Sequence, residues 1–285
     1  MNRAVTRLSL YLPLLLTLVA CDHVHTGTGI VIEPGPSATF QPAPIVEPQT
    51  LVAERHALIA DQQGIAPVGV AVDPESGARF ILDNANRLYD VDVNGGLSLK
   101  RDLRDSWIED LPLQDLCAVS ATELYTIGPR NGLRLDLEND WYDQHFCIEP
   151  GFMEDPTPWE NWRQETHAIA CDPARALLFA QPQTFERDDE EAGPVRSEVA
   201  LYDLPSGADL EWNLLPSEAY LAGGMAVVGE TSVLLGRGSI LSRYDLETGT
   251  QEPVADLSEV GIMAIEGLAP DTVEGQLIVV DGDDQ

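Results

Sequence analysis

Three side chains able to bind a metal ion or move a proton recur at one position of a repeated segment. Short apolar stretches align alanines at 71, 118, 170, 226 and 269. Three residues before each stand Val68, Asp115, His167, Gly223 and Glu266. Asp115 and Glu266 offer the oxygens that a hard cation such as calcium wants, and His167 offers the imidazole nitrogen that suits another divalent metal. Such an ion could polarise an ester or lactone carbonyl. The competing reading is that these are polar loop ends facing water. A second group follows the second strand of each repeat: Asp83, Asn84 and Arg87, then Arg130 and Asn131, then Arg237, then Asp281 and Asp283. Three arginines on an acidic chain could receive a carboxylate or phosphate. The favoured reading is that each pairs with a neighbouring acid. The chain has no Gly-x-Ser-x-Gly, no His-Glu-x-x-His and no phosphate loop.

The elements that position these residues are read from the repeat. The apolar segment runs Gly69-Val70-Ala71-Val72-Asp73-Pro74, and its counterparts are Cys117-Ala118-Val119-Ser120, Ala170-Cys171-Asp172-Pro173, Met225-Ala226-Val227-Val228 and Leu268-Ala269-Pro270-Asp271. A second segment follows the first four: Tyr89-Asp90-Val91, Leu135-Asp136-Leu137, Tyr202-Asp203-Leu204 and Tyr244-Asp245-Leu246. Further apolar strands, such as Arg79–Leu82 and Leu97–Lys100, lie between and after. Short strands with Gly, Asn and Asp turns at a period near 47 describe β-propeller blades, which must stack in a ring to bury both faces. The expected fold is all-β, a propeller of five blades over residues 51–285, with six as the alternative. Leu51–Leu58 would help close the ring as an N-terminal strand, and Ile30–Ile32 could add another. Thr184–Ser197 is read as a charged insert in the third blade. Asp90–Gly95 matches the first half of a calcium loop, but position twelve is Arg101, so strand-turn alternation explains it better.

The stretches Gly69–Pro74 and Asp83–Tyr89 resemble blades of NHL-repeat, YVTN and gluconolactonase-like propellers. Glu266-Gly267 is similar to the acidic residue that holds the metal in gluconolactonase-like enzymes. That resemblance implies a metal-dependent hydrolase, although the family's asparagine ligands have no counterpart here.

Trp141, Tyr142, Phe152, Trp159 and Trp162 are expected in a long loop between blades two and three, as a partner surface or a lid. Beyond Cys21 the chain has Cys117, Cys147 and Cys171. Cys117 lies one residue before its aligned alanine and Cys171 one after, so both would point the same way around the ring. A bridge between them is not expected. Cys147 is expected to pair with one of the two.

Residues 1–20 read as a targeting segment: Arg3 and Arg7, then an uncharged run to Ala20. Leu18-Val19-Ala20-Cys21 resembles a lipoprotein lipobox, which implies lipid on Cys21 and stable anchoring. Residues 21–50, rich in Pro and Gly, read as a tether. The whole chain carries a formal charge of −32 and a single lysine, Lys100. Such a surface repels nucleic acid and anionic headgroups. The expected protein is a monomeric cell-envelope lipoprotein that touches the membrane through its lipid alone. Its propeller face would bind an envelope protein or small ligand without catalysis.

Overall fold

Four of the repeats become four-stranded antiparallel sheets because short apolar segments are cut by Asp- and Gly-bearing turns. The computed structural model describes residues 65–105, 112–129, 131–147, 162–186, 196–215, 223–273 and 275–282. Cys21, the lipobox, the tether and the two proposed closing strands, Ile30–Ile32 and Leu51–Leu58, lie outside them. All described residues fall in the second of two units, Pro44–Gln285.

The first blade holds β1 (Pro67–Val72), β2 (Arg79–Asp83), β3 (Arg87–Val91) and β4 (Leu97–Asp102). The second holds β5 (Asp115–Ala118), β6 (Glu123–Ile127), β7 (Asn131–Asp136) and β8 (Trp141–Cys147). The third holds β9 (Trp162–Asp172), β10 (Leu177–Glu186), β11 (Arg196–Asp203) and β12 (Asp209–Leu214). The fourth holds β13 (Gly224–Val227), β14 (Ser232–Arg237), β15 (Ile240–Asp245) and β16 (Thr250–Asp256). A two-stranded hairpin follows, β17 (Ile265–Asp271) and β18 (Gln276–Asp281). Among the described residues four complete blades therefore form, not five or six. The first strands still pack in a cycle: β1 on β5, β5 on β9, β9 on β13, β13 on β17 and β17 on β1.

Apolar layers fill the spaces between neighbours. Ala71 and Phe80 of blade one meet Leu116 and Ala118 of blade two. Cys117 and Tyr125 of blade two meet Ile169 and Tyr202 of blade three. Ala170 and Phe179 of blade three meet Met225 of blade four. Ala226 of blade four meets Leu268 of the hairpin, and Ala269 of the hairpin meets Val70 and Val72 of blade one.

These layers correct the aligned register at two places. Ala71, Ala170, Ala226 and Ala269 all face the following unit, but Ala118 faces the preceding one, so the residue equivalent to them is Cys117. A one-residue slip reverses the side of every residue on a strand. Cys117 thus points towards blade three while Cys171 points back, and the two are joined, Cα to Cα 5.6 Å. This overturns the expected pairing: Cys147 is partner to neither. The second correction concerns blade one. Cross-strand ladders run Ala71–Phe80–Asp90, Cys117–Tyr125–Arg134, Ala170–Phe179–Leu201 and Ala226–Leu234–Arg243. The residue two further on is Asp92, Asp136, Asp203 or Asp245. Each is an aspartate whose carboxylate accepts from amides of the next turn, at Asn94 (2.7 Å), Asn139 (2.9 Å), Ser206 (3.1 Å) and Thr248 (2.8 Å). The repeated aspartate is a turn cap, and in blade one it is Asp92, not Asp90. Asp90 instead faces Lys100 at 3.2 Å.

Trp141 and Tyr142 lie on outer strand β8 and Trp162 begins β9, so the aromatic residues are not confined to one long loop. Trp159 and Phe152 lie outside the described residues. The ends of the Thr184–Ser197 insert continue β10 and β11.

Candidate binding site at the mouth of the ring

The first strands approach one another most closely two residues before the aligned positions, at Gly69, Asp115, Ala168, Gly224 and Gly267. A Cβ on Gly69 would stand 2.8 Å from the Asp115 Cα, one on Gly224 2.8 Å from the Leu268 nitrogen, and one on Gly267 3.1 Å from the Gly69 Cα. Glycine is required where backbones come this close. Asp115 breaks the pattern. Its side chain is fully buried, with Oδ1 accepting from the Leu116 amide (2.8 Å) and Oδ2 from the Ile169 amide (3.0 Å). Oδ1 also lies 3.4 Å from where a Gly267 Cβ would be, so the carboxyl reaches across the ring axis. Burial pushes its pKa well above the ordinary carboxylate value, and Glu266 pushes the same way; the Ile169 and Leu116 amides oppose them. The corrected register makes Gln114, rather than Asp115, the blade-two counterpart of His167 and Glu266.

Bulges position the mouth residues. The β1–β2 register skips at Val68, the β17–β18 register at Glu266, and the β9–β10 register at His167 and Ala168. An extra residue in a strand re-aims its side chain. Glu266 is half-buried and packs on Gly282, where a Cβ would stand 2.2 Å from the Glu266 Cγ. Burial raises the pKa of Glu266, and neighbouring His167 offsets this in part. His167 Nε2 lies 3.1 Å from Glu165 Oε2. Among the described residues no three His, Cys, Asp or Glu side chains form a group that could hold a metal ion.

The long strands of blade three add a polar row beside this cluster. Glu165, Gln183 and Ser197 lie directly opposite one another on β9, β10 and β11, so their side chains share one face. Gln181 lies two residues along from Gln183, and its Nε2 donates to Ser197 Oγ at 3.1 Å. Gln183 is 0% exposed, and neither its Oε1 nor its Nε2 has a hydrogen-bond partner. Native folds leave few buried polar groups without one. Thr166, on β9, is buried too and donates to the Pro129 carbonyl at 3.4 Å. None of these polar residues stands in the aligned segments. The readable trace was Gln181-Pro182-Gln183, polar at alternate positions directly after an apolar run.

The other expected ligand residues divide. Asp83 is fully buried and accepts from Arg87 Nε at 2.8 Å, from the Arg87 amide at 2.8 Å and from Tyr89 Oη at 3.3 Å. Asp83 and Arg87 therefore bind each other. Asp281, its counterpart in the hairpin, accepts from the Met263 and Ala264 amides at 3.0 and 3.2 Å and so caps the chain entering β17. Asn84 and Arg237 are exposed, and Asn131 opens β7 with its carbonyl accepting from Gly128 at 2.8 Å. Arg130 and Asp283 lie outside the described residues. On the other end of the ring, Arg175, Glu211, Glu230 and Glu247 line a groove of about 480 Å³ between blades three and four. Arg175 there binds Asp172 and the Gly229 and Glu230 carbonyls.

No family model matches the chain, and no curated protein matches it. Among solved structures it is similar to the extracellular domain of a protein proposed to be a one-component system from B. thetaiotaomicron, at 12% identity and a TM-score of 0.41. The similarity covers 76% of this chain and 26% of that one. No described helix is long and apolar enough to cross a membrane.

Proposed function

We propose that this chain is a lipid-anchored binding module of the cell envelope whose mouth, beside blade three, takes a small polar ligand without catalysis. The anchor rests on the sequence: charged start, apolar run and lipobox ending at Cys21. The binding reading rests on one observation, the Gln183 carboxamide, buried with donor and acceptor both unused directly across from Glu165, whose Oε2 lies 3.1 Å from His167 Nε2. An amide left so costs roughly 1–3 kcal/mol, a cost that a ligand able to pair with it would relieve. The bulges at His167 and Glu266 support the same reading, since bulges gather next to sites.

Melting the full-length protein against a panel of saccharides, amines, amino acids and dipeptides tests this. A ligand that binds only the folded state raises the melting temperature in proportion to its saturation. The expected result is at least one panel member that stabilises the wild type and not Gln183→Met. No response from any member overturns the reading.

A further inference from the structure

We infer that the ligand of this mouth is a small primary amine carrying an oxygen acceptor beside its nitrogen, the chemistry shared by an amino sugar and the amino-terminal residue of a peptide. The inference rests on the reading of the mouth as a binding site and names what it takes. An ammonium group has three donors and no acceptor. Glu165 and Glu266 supply carboxyl oxygens, and Gln183 Oε1, unpaired and buried, supplies a third acceptor. Gln183 Nε2 also lacks a partner, and an oxygen on the ligand would supply one. A bare cation would leave that donor unmatched. A carboxylate or phosphate would face Glu165 and Glu266 and be repelled.

Charge favours the same class. The chain carries −32 overall, so its field draws cations towards its clefts. Burial disfavours the charged form of Glu266, and a bound ammonium would restore it.

Calorimetric titration of the full-length protein with D-glucosamine and with glycinamide tests the inference, with N-acetylglucosamine and N-acetylglycinamide as uncharged controls. The expected result is that at least one amine binds and its acetylated form binds at least about tenfold more weakly. Glucosamine alone would mark a saccharide source, glycinamide alone a peptide terminus, and both the shared group. Gln183→Met should weaken the amine by about tenfold or more while raising the apo melting temperature by about 2–4 °C, because an unpaired buried amide is gone. A residue with only a structural role would not show both changes. Glu266→Gln, at a half-buried and less critical position, should weaken binding similarly and serves if Gln183→Met does not fold. Binding by other panel members but by neither amine would overturn the inference and leave the mouth as a site. Amine binding equal in wild type and both variants would overturn it by placing the amine elsewhere. Silence of the whole panel would overturn the mouth itself.

Discussion

Asp115 occupies a level of the ring where the other units have Gly69, Ala168, Gly224 and Gly267, and it is held there by the Leu116 and Ile169 amides. Its pKa is raised in the fold, so the folded state binds its proton more tightly than the unfolded chain does. Its contribution to stability is therefore complete below the ordinary carboxylate range and fades as pH rises through the raised value. Glu266 and His167 are the titratable groups that bear on it, directly or through each other. Asp115→Asn cannot ionise and should flatten this slope between about pH 4 and pH 8, while giving up one of the two amide bonds because its Nδ2 cannot accept. Melting both proteins across that range checks it, and equal pH slopes would contradict the assignment. The residue's type was legible in the sequence, but its place was not. Ala118 beside Cys117 offered a plausible alanine one step away, and alanine packs on either side of a strand. The glycines two residues before Ala71, Ala226 and Ala269 held the correcting signal, because they show which position faces the axis.

At the scale of elements, the bridge from Cys117 to Cys171 ties the first strands of blades two and three across 54 residues of sequence. Closing such a loop in the unfolded chain is worth about 4 kcal/mol on the chain-entropy account. Urea unfolding with reductant should lose stability of that order, and Cys117→Ala should show the same loss and no further response to reductant. A non-reducing peptide map should recover the two cysteines together. The strands themselves were legible because their apolar alternation and capped turns are local: Asp136, Asp203 and Asp245 were all found. Blade one misled because Tyr89-Asp90 imitates the motif two residues before the real cap, Asp92. The extensions of β9, β10 and β11 were hidden for another reason. Ser197 fell at the end of the Thr184–Ser197 insert and Gln181 and Gln183 just before it, and burial depends on neighbours that no local pattern names.

The whole ring closes between parts of the chain far apart in sequence. Arg79 of β2 donates to Asp271 at the end of β17 through Nε (3.3 Å) and Nη2 (2.8 Å), and Asp271 is 1% exposed. Thr272 Oγ1 adds a bond to the Pro74 carbonyl at 3.1 Å. Losing one partner of a buried pair leaves a charge uncompensated, so Arg79→Ala should cost about 3 kcal/mol in urea unfolding, while an exposed change such as Lys100→Ala should cost little. Near-equivalent units raise a further question of assembly, since repeats can dock on the wrong neighbour or on a second chain. Asp115 answers it. Its far oxygen accepts from the Ile169 amide of blade three, and it stands at a level that the other four units fill with Gly or Ala. A second side chain of that size at the same level of another unit would crowd it, since a Cβ on Gly267 would already stand 3.4 Å from its Oδ1. One departure from the repeat thus acts as a key: it makes blade two distinguishable and leaves no room for a second copy of itself around the circle.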